Sequence, residues 1–120
     1  AWTGATVYAE GPHRTARPRY ESEKIASESG ADHEFRPDTE VCGGDTIEGA
    51  GWTLQAVSTP GHTANHLAFA LKDRKTLFVG DHVMGWSTSI VAPPDGSMID
   101  YMASLEMLTQ REEDLYFPGH

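Results

Sequence analysis

Cysteine is almost missing from this 120-residue chain, in which Cys42 stands alone. No internal disulfide can form, so bridges do not hold the fold, and a lone thiol suits a reducing, cytoplasmic setting. Positive charge is also scarce: 9 Lys and Arg face 18 Asp and Glu, a formal net charge of −9. Nonspecific nucleic-acid binding needs clustered cations, so this balance argues against that class of partner. No apolar run approaches the ~20 residues of a membrane helix, which argues against a membrane partner too. No basic-then-apolar signal segment opens the chain, and there is no repeat or low-complexity tract. An acidic enzyme carrying a cation in its cleft is compatible with every one of these absences. What is present, 38% apolar residues with 3 Trp, 4 Tyr and 4 Phe, suffices for one core, so residues 1–120 read as a single domain.

The first half is weakly patterned. Ala5–Ala9 is β-branched and aromatic and ends at Gly11-Pro12, which predicts a strand. Residues 12–20 form a locally basic loop with His13, Arg14, Arg17 and Arg19; it reads as a solvated loop balancing nearby carboxylates, with an anion contact as the functional alternative. Glu21–Ser29 predicts a short surface helix, and Thr46–Glu48 a short strand within a Gly-, Asp- and Thr-rich stretch. Cys42 has no nearby His and reads as a small packing residue.

The second half is better ordered. Trp52–Val57, His66–Leu71, Thr76–Val79 and Leu115–Phe117 read as strands. The four-residue link 72–75 makes an antiparallel hairpin of the middle pair. Ser97 with Asp100 resembles a capping box, and Met98, Met102, Leu105 and Leu108 follow at helical spacing, with Met98, Met102 and Met107 expected in the core.

Three turns next to apolar strands each present a metal-competent side chain: His62, Asp81 and His120. Imidazole and carboxylate suit Zn²⁺, Fe²⁺ or Mn²⁺. Glycine precedes each of the three (Gly61, Gly80, Gly119), which lets the backbone turn sharply. The residues lie far apart in sequence, so no local metal loop is formed. Strand ends gathered at one sheet edge would have to bring them together.

The ordered set Ser58-Thr-Pro-Gly-His62-Thr-Ala-Asn-His66, then Leu77-Phe-Val-Gly-Asp81, then Tyr116-Phe-Pro-Gly-His120, resembles the later part of the metallo-β-lactamase superfamily, nearest its glyoxalase II-like and lactamase-like branch. The resemblance covers about residues 45–120. It implies an α/β fold, part of an αββα sandwich: one mixed, mostly antiparallel sheet with helices on one face. By the same resemblance, His62 completes one metal's ligand set, Asp81 bridges both metals and is the catalytic carboxylate, and His120 completes the second set. It implies zinc, two ions per complete site, with iron or manganese as alternatives. His66 is implied to support the site or to pack, and His82 to hydrogen-bond near it; His13 and His33 match nothing and read as solvated.

The H-x-H-x-D-H signature of that family is absent from the chain. The expectation is therefore a truncated domain, a fragment with weak or no metal binding and little activity by itself. The implied parent is a hydrolase in which metal-activated hydroxide attacks an ester, thioester, amide or phosphoester of a small-molecule substrate. The rival reading is a non-catalytic half-domain that self-associates through an exposed sheet. A metal-free carboxylate-pair hydrolase is a weaker third reading, because only Glu112-Glu113-Asp114 cluster, and they read as a solvated helix end.

Overall fold

The computed structural model describes residues 3–18, 20 and 32–120. The helix expected over Glu21–Ser29 lies outside the described residues. Of the strand expected over Ala5–Ala9, only β1 (Tyr8–Ala9) forms, paired in parallel with an unforeseen β2 (Thr39–Glu40). Val7 leads into β1: its carbonyl accepts from the Thr39 N–H at 3.1 Å, while its own N–H donates to the Asp38 carboxylate at 2.8 Å.

The remaining strands are β3 (Thr46–Gly49), β4 (Trp52–Ser58), β5 (Leu67–Leu71), β6 (Thr76–Gly80) and β7 (Leu115–Pro118). They form one five-stranded sheet in the order β3-β4-β5-β6-β7. The first four are antiparallel neighbours, as short links allow, while β6 and β7 run parallel. A parallel pair needs a long crossover. Here it contains α1 (Met98–Thr109), the only helix among the described residues. The sheet is mixed and mostly antiparallel, with its helix on one face, as expected.

Register sorts the sheet into two faces. Gln55, Ala70, Leu77 and Tyr116 lie opposite one another across four strands. This side holds the core: Val57, Ala68, Ala70, Leu77 and Val79 pack with Leu108 of α1, and Val83, Met107 and Tyr116 close around them. The other side carries the row Ala56, Phe69, Phe78 and Phe117. Phe78 and Phe117 stack at 5.5 Å yet remain 41% and 47% exposed.

The helix sits in a different rotation from the one its methionines suggest. Met98 and Met102 are 56% and 57% exposed, so they do not fill the core; Met107 does pack against it. The buried positions are Ser104 and Leu108. Ser104 is inside because its hydroxyl donates to the Pro60 carbonyl at 2.7 Å, satisfying an acceptor that burial would otherwise orphan. A Cβ on Gly61 would lie only 2.5 Å from the Tyr101 Cα, so glycine there lets the turn and helix touch. Only half of the capping box forms: Ser97 accepts from the Asp100 N–H at 3.3 Å, while the Ser97 N–H donates to Gly61.

Three smaller expectations are corrected. Cys42 is exposed rather than packed, because it opens a tight turn in which Cys42 and Asp45 exchange hydrogen bonds. His13 is not solvated: its side chain is 10% exposed and Nε2 lies 2.9 Å from the Asp95 carboxylate. Glu113 is no solvated helix end, since Arg111 clamps its carboxylate through Nε and Nη2. In the basic loop Arg14 pairs with Glu10 and Arg17 lies over the Tyr20 ring, as suits a loop that balances local charge.

Candidate metal centre

Antiparallel and parallel pairings together carry three turns to one sheet edge. The β4–β5 turn leaves at Ser58 and returns at Leu67, beside the end of β6, where Gly80 pairs with Pro118 of β7. His62, Asp81 and His120 follow those strand ends. The structure brings all three together: His62 Nε2 lies 3.6 Å from Asp81 Oδ2, and His120 Nε2 lies 3.6 Å from Asp81 Oδ1. Each separation exceeds a hydrogen bond. One carboxylate thus faces two imidazoles, with a different oxygen toward each.

Backbone contacts hold this geometry. The Gly119 N–H donates to the Gly80 carbonyl at 2.7 Å, tying the turn that carries His120 to the turn that carries Asp81. The Gly85 N–H donates to the His120 carbonyl at 3.0 Å. Gly119 permits the close approach of the two turns, since a Cβ there would sit 2.6 Å from Asp81 Oδ1.

The tautomer of His62 follows from its partner. Its Nδ1 lies 2.6 Å from the Ile90 carbonyl, which can only accept, so Nδ1 carries the proton. The Nε2 lone pair is left facing Asp81. Fixing one imidazole nitrogen by a carbonyl is how a protein aims the other at a metal. Ile90 contributes through its backbone, so no side-chain pattern in the sequence marked it.

Two further histidines lie behind the cluster. His66 sits just before β5 rather than within it, with its ring 6.3 Å from that of His62. Burial, reinforced by the neighbouring His62, holds its pKa below the ordinary value, against a smaller opposing pull from Asp81. His82 departs from expectation. It is fully buried, and neither ring nitrogen has a hydrogen-bond partner among the described residues. Its ring packs between Tyr101 (4.5 Å) and His66 (5.9 Å), while its backbone is bonded on both sides: its N–H donates to the Val79 carbonyl at 3.1 Å, and its carbonyl accepts from the Tyr101 and Ser89 hydroxyls. Burial, then the adjacent histidines, pushes its pKa down to about 4, so it is neutral at pH 7.

The sequence matches the metallo-beta-lactamase superfamily over residues 1–120. The chain belongs to that superfamily. Among curated relatives, it is 35% identical over 80 residues to the thioesterase pkgB of Emericella nidulans, covering 67% of this chain and 22% of that protein. It is 36% identical over 70 residues to the beta-lactamase-like protein 2 homolog of Caenorhabditis elegans, covering 58% of this chain and 22% of that one. The chain therefore spans about a fifth of these relatives' length. A metallo-beta-lactamase family protein from Thermus thermophilus shares its fold with a TM-score of 0.66 at 25% identity, over 86% of this chain and 35% of that one. A second solved protein, TTHA1623 in a di-iron-bound form, gives 0.65 at 25% identity over 96% and 57%.

The superfamily's use of metals can be tested against the donors present. Their chemistry fits: a carboxylate with each oxygen turned to a separate imidazole nitrogen is suited to bridge two cations. Their number falls short. Each cation would receive one nitrogen and one oxygen, and no group of three or more His, Cys, Asp or Glu that could hold an ion occurs among the described residues. No helix among them is long and apolar enough to cross a membrane.

Proposed function

We propose that this chain supplies one side of the metal site of a metal-dependent hydrolase acting on an acyl ester or thioester, with His62, Asp81 and His120 as ligands. The observation that carries this reading is the Asp81 carboxylate set between two imidazoles at 3.6 Å on either side. Relatives named as thioesterases favour the acyl thioester within that class. A pair of divalent cations, zinc being the first choice, would supply Lewis acidity toward a carbonyl and lower the pKa of water. The residues of this chain do the positioning. His62, with its proton fixed on Nδ1 by Ile90, offers Nε2; Asp81 offers one oxygen to each side; His120 offers Nε2 from the turn bonded to Gly80. Cys42 is remote in role, an exposed turn residue with no part in a nucleophilic scheme.

Zinc titration by calorimetry tests the reading. Weak binding that disappears in Asp81→Ala is the expected result, and affinity unchanged by that substitution would overturn it. The 120 residues alone should hydrolyse little or no S-acetyl-N-acetylcysteamine, because they supply two donors per cation where a catalytic site needs about three. Zinc-dependent turnover abolished by a chelator would refute that expectation.

A second reading, a module that pairs with a copy of itself, is favoured by the exposed Phe78–Phe117 stack with Trp52 and Leu115 also exposed on the sheet. Sedimentation of the chain decides it: a concentration-dependent dimer is expected, and a monomer at every concentration removes the reading.

A further inference from the structure

We infer that His66 is a positioning residue, which holds the Asp81 carboxylate between His62 and His120 by anchoring the Asp81 backbone. The Asp81 N–H donates to His66 Nε2 at 3.2 Å. A backbone amide can only donate, so Nε2 bears the lone pair and the ring proton sits on Nδ1. That proton has a partner: Nδ1 lies 2.7 Å from the hydroxyl oxygen of Thr59. Thr59 is itself fully buried, and its own N–H donates to the His66 carbonyl at 3.1 Å. Threonine and histidine are therefore clasped through backbone and side chain together, and both ring nitrogens are engaged.

Gly80 completes the device. Its φ of +53° turns the chain at the end of β6 so that the next amide meets the imidazole. A Cβ at that position would lie 2.9 Å from His66 Nε2, so a side chain there would push the ring away. With both nitrogens engaged, His66 has none left for a metal. It acts on the site through Asp81, from the turn that leads into β5. Thr59 and Gly80 serve the same end, one fixing the tautomer and the other the approach.

The inference rests on Asp81 being a metal ligand, and the test separates the two claims. In ¹⁵N-labelled protein, two-bond proton–nitrogen spectra should show His66 with Nδ1 protonated and Nε2 bare. The opposite tautomer overturns the proposal, and so does zinc shifting the His66 nitrogens as strongly as those of His62. His66→Gln places an acceptor oxygen near Nε2, whereas His66→Asn reaches only toward Thr59 and His66→Leu offers neither contact. Exchange of the Asp81 amide hydrogen should run about fivefold to tenfold faster in the Asn and Leu variants and stay near the parent rate in Gln. Zinc affinity should fall about tenfold to hundredfold in the same two and recover in Gln. A packing role alone would spare Leu and treat Gln and Asn alike, and that pattern refutes positioning. Should the variants fail to fold, the tautomer of the unsubstituted protein decides. If zinc does not bind at all, the metal reading falls, while tautomer and amide exchange still judge the anchoring.

Discussion

Gly119→Ala is the sharpest perturbation of the candidate site that leaves His62, Asp81 and His120 unsubstituted. A Cβ at 119 would lie 2.6 Å from Asp81 Oδ1 and 3.3 Å from the Gly80 carbonyl carbon. Ordinary contact begins at 3.4 Å, so the carboxylate oxygen must retreat by roughly 0.8 Å or the two turns must part. The carboxylate is the softer element, because the turns are joined by the 2.7 Å bond from the Gly119 N–H to the Gly80 carbonyl. Rotating a side chain off its preferred rotamer costs about 1 kcal/mol, a modest loss of stability. Metal–ligand distances, however, tolerate only about 0.2 Å. Zinc affinity should therefore fall at least about tenfold while the melting temperature in chelator drops by a few degrees. Gly85→Ala is a milder perturbation on the His120 side, since its Cβ would meet the His120 carbonyl and Pro118 Cγ at 3.3 Å, just short of ordinary contact. Calorimetric titration of both variants, alongside melting by circular dichroism, reads the difference. Zinc affinity in Gly119→Ala equal to that of the unsubstituted protein would refute the placement of Asp81 in the site.

Other substitutions probe the frame around it. Leu77→Ala empties a fully buried position at the centre of the sheet and should cost about 2–5 kcal/mol in urea unfolding. Ser104→Ala leaves the Pro60 carbonyl without its donor, at a cost of about 1–3 kcal/mol, and should also shift the resonances of His62 in the same turn. Glu113 supplies a pH dependence. Burial raises its pKa, but the Arg111 hydrogen bonds and charge outweigh that, and the net value lies below 4.5. Between that lowered value and 4.5 the unfolded chain binds the extra proton, so stability is full above about pH 4.5 and declines as pH falls. Glu113→Gln should flatten this part of the profile in acid titrations followed by fluorescence, and an unchanged profile would count against the clamp.

The juxtaposition of His62, Asp81 and His120 was legible because each stands on a feature that sequence displays. Gly61, Gly80 and Gly119 mark sharp turns, and the apolar runs before Asp81 and His120 mark strand ends. The strands of the second half were legible for the same reason, since alternation reports which face is buried. Features made by backbone atoms were not. Ile90 serves the site through a carbonyl, and any residue could have offered that acceptor without leaving a trace in composition. The β1–β2 pairing was hidden because two residues are too few to show a period.

The helix shows how a pattern can be present and still mislead. Its methionines fall at helical spacing, yet the buried line runs through Ser104 and Leu108, with Met98 and Met102 outside. Apolar periodicity fixes a helix rotation only when burial of that stripe is the strongest demand on it. Here two contacts with the His62 turn compete with it: Gly61 against the Tyr101 backbone, and Ser104 to the Pro60 carbonyl. Swinging Met98 and Met102 inward would bury apolar surface there, but would carry out both Leu108, which is already buried, and Ser104, leaving the Pro60 carbonyl without its hydroxyl donor. The rotation observed therefore serves the turn that carries His62. Helix α1 is part of the support of the site, and the residues that fix its rotation are a buried serine and a glycine, which hydrophobic patterning gives no weight.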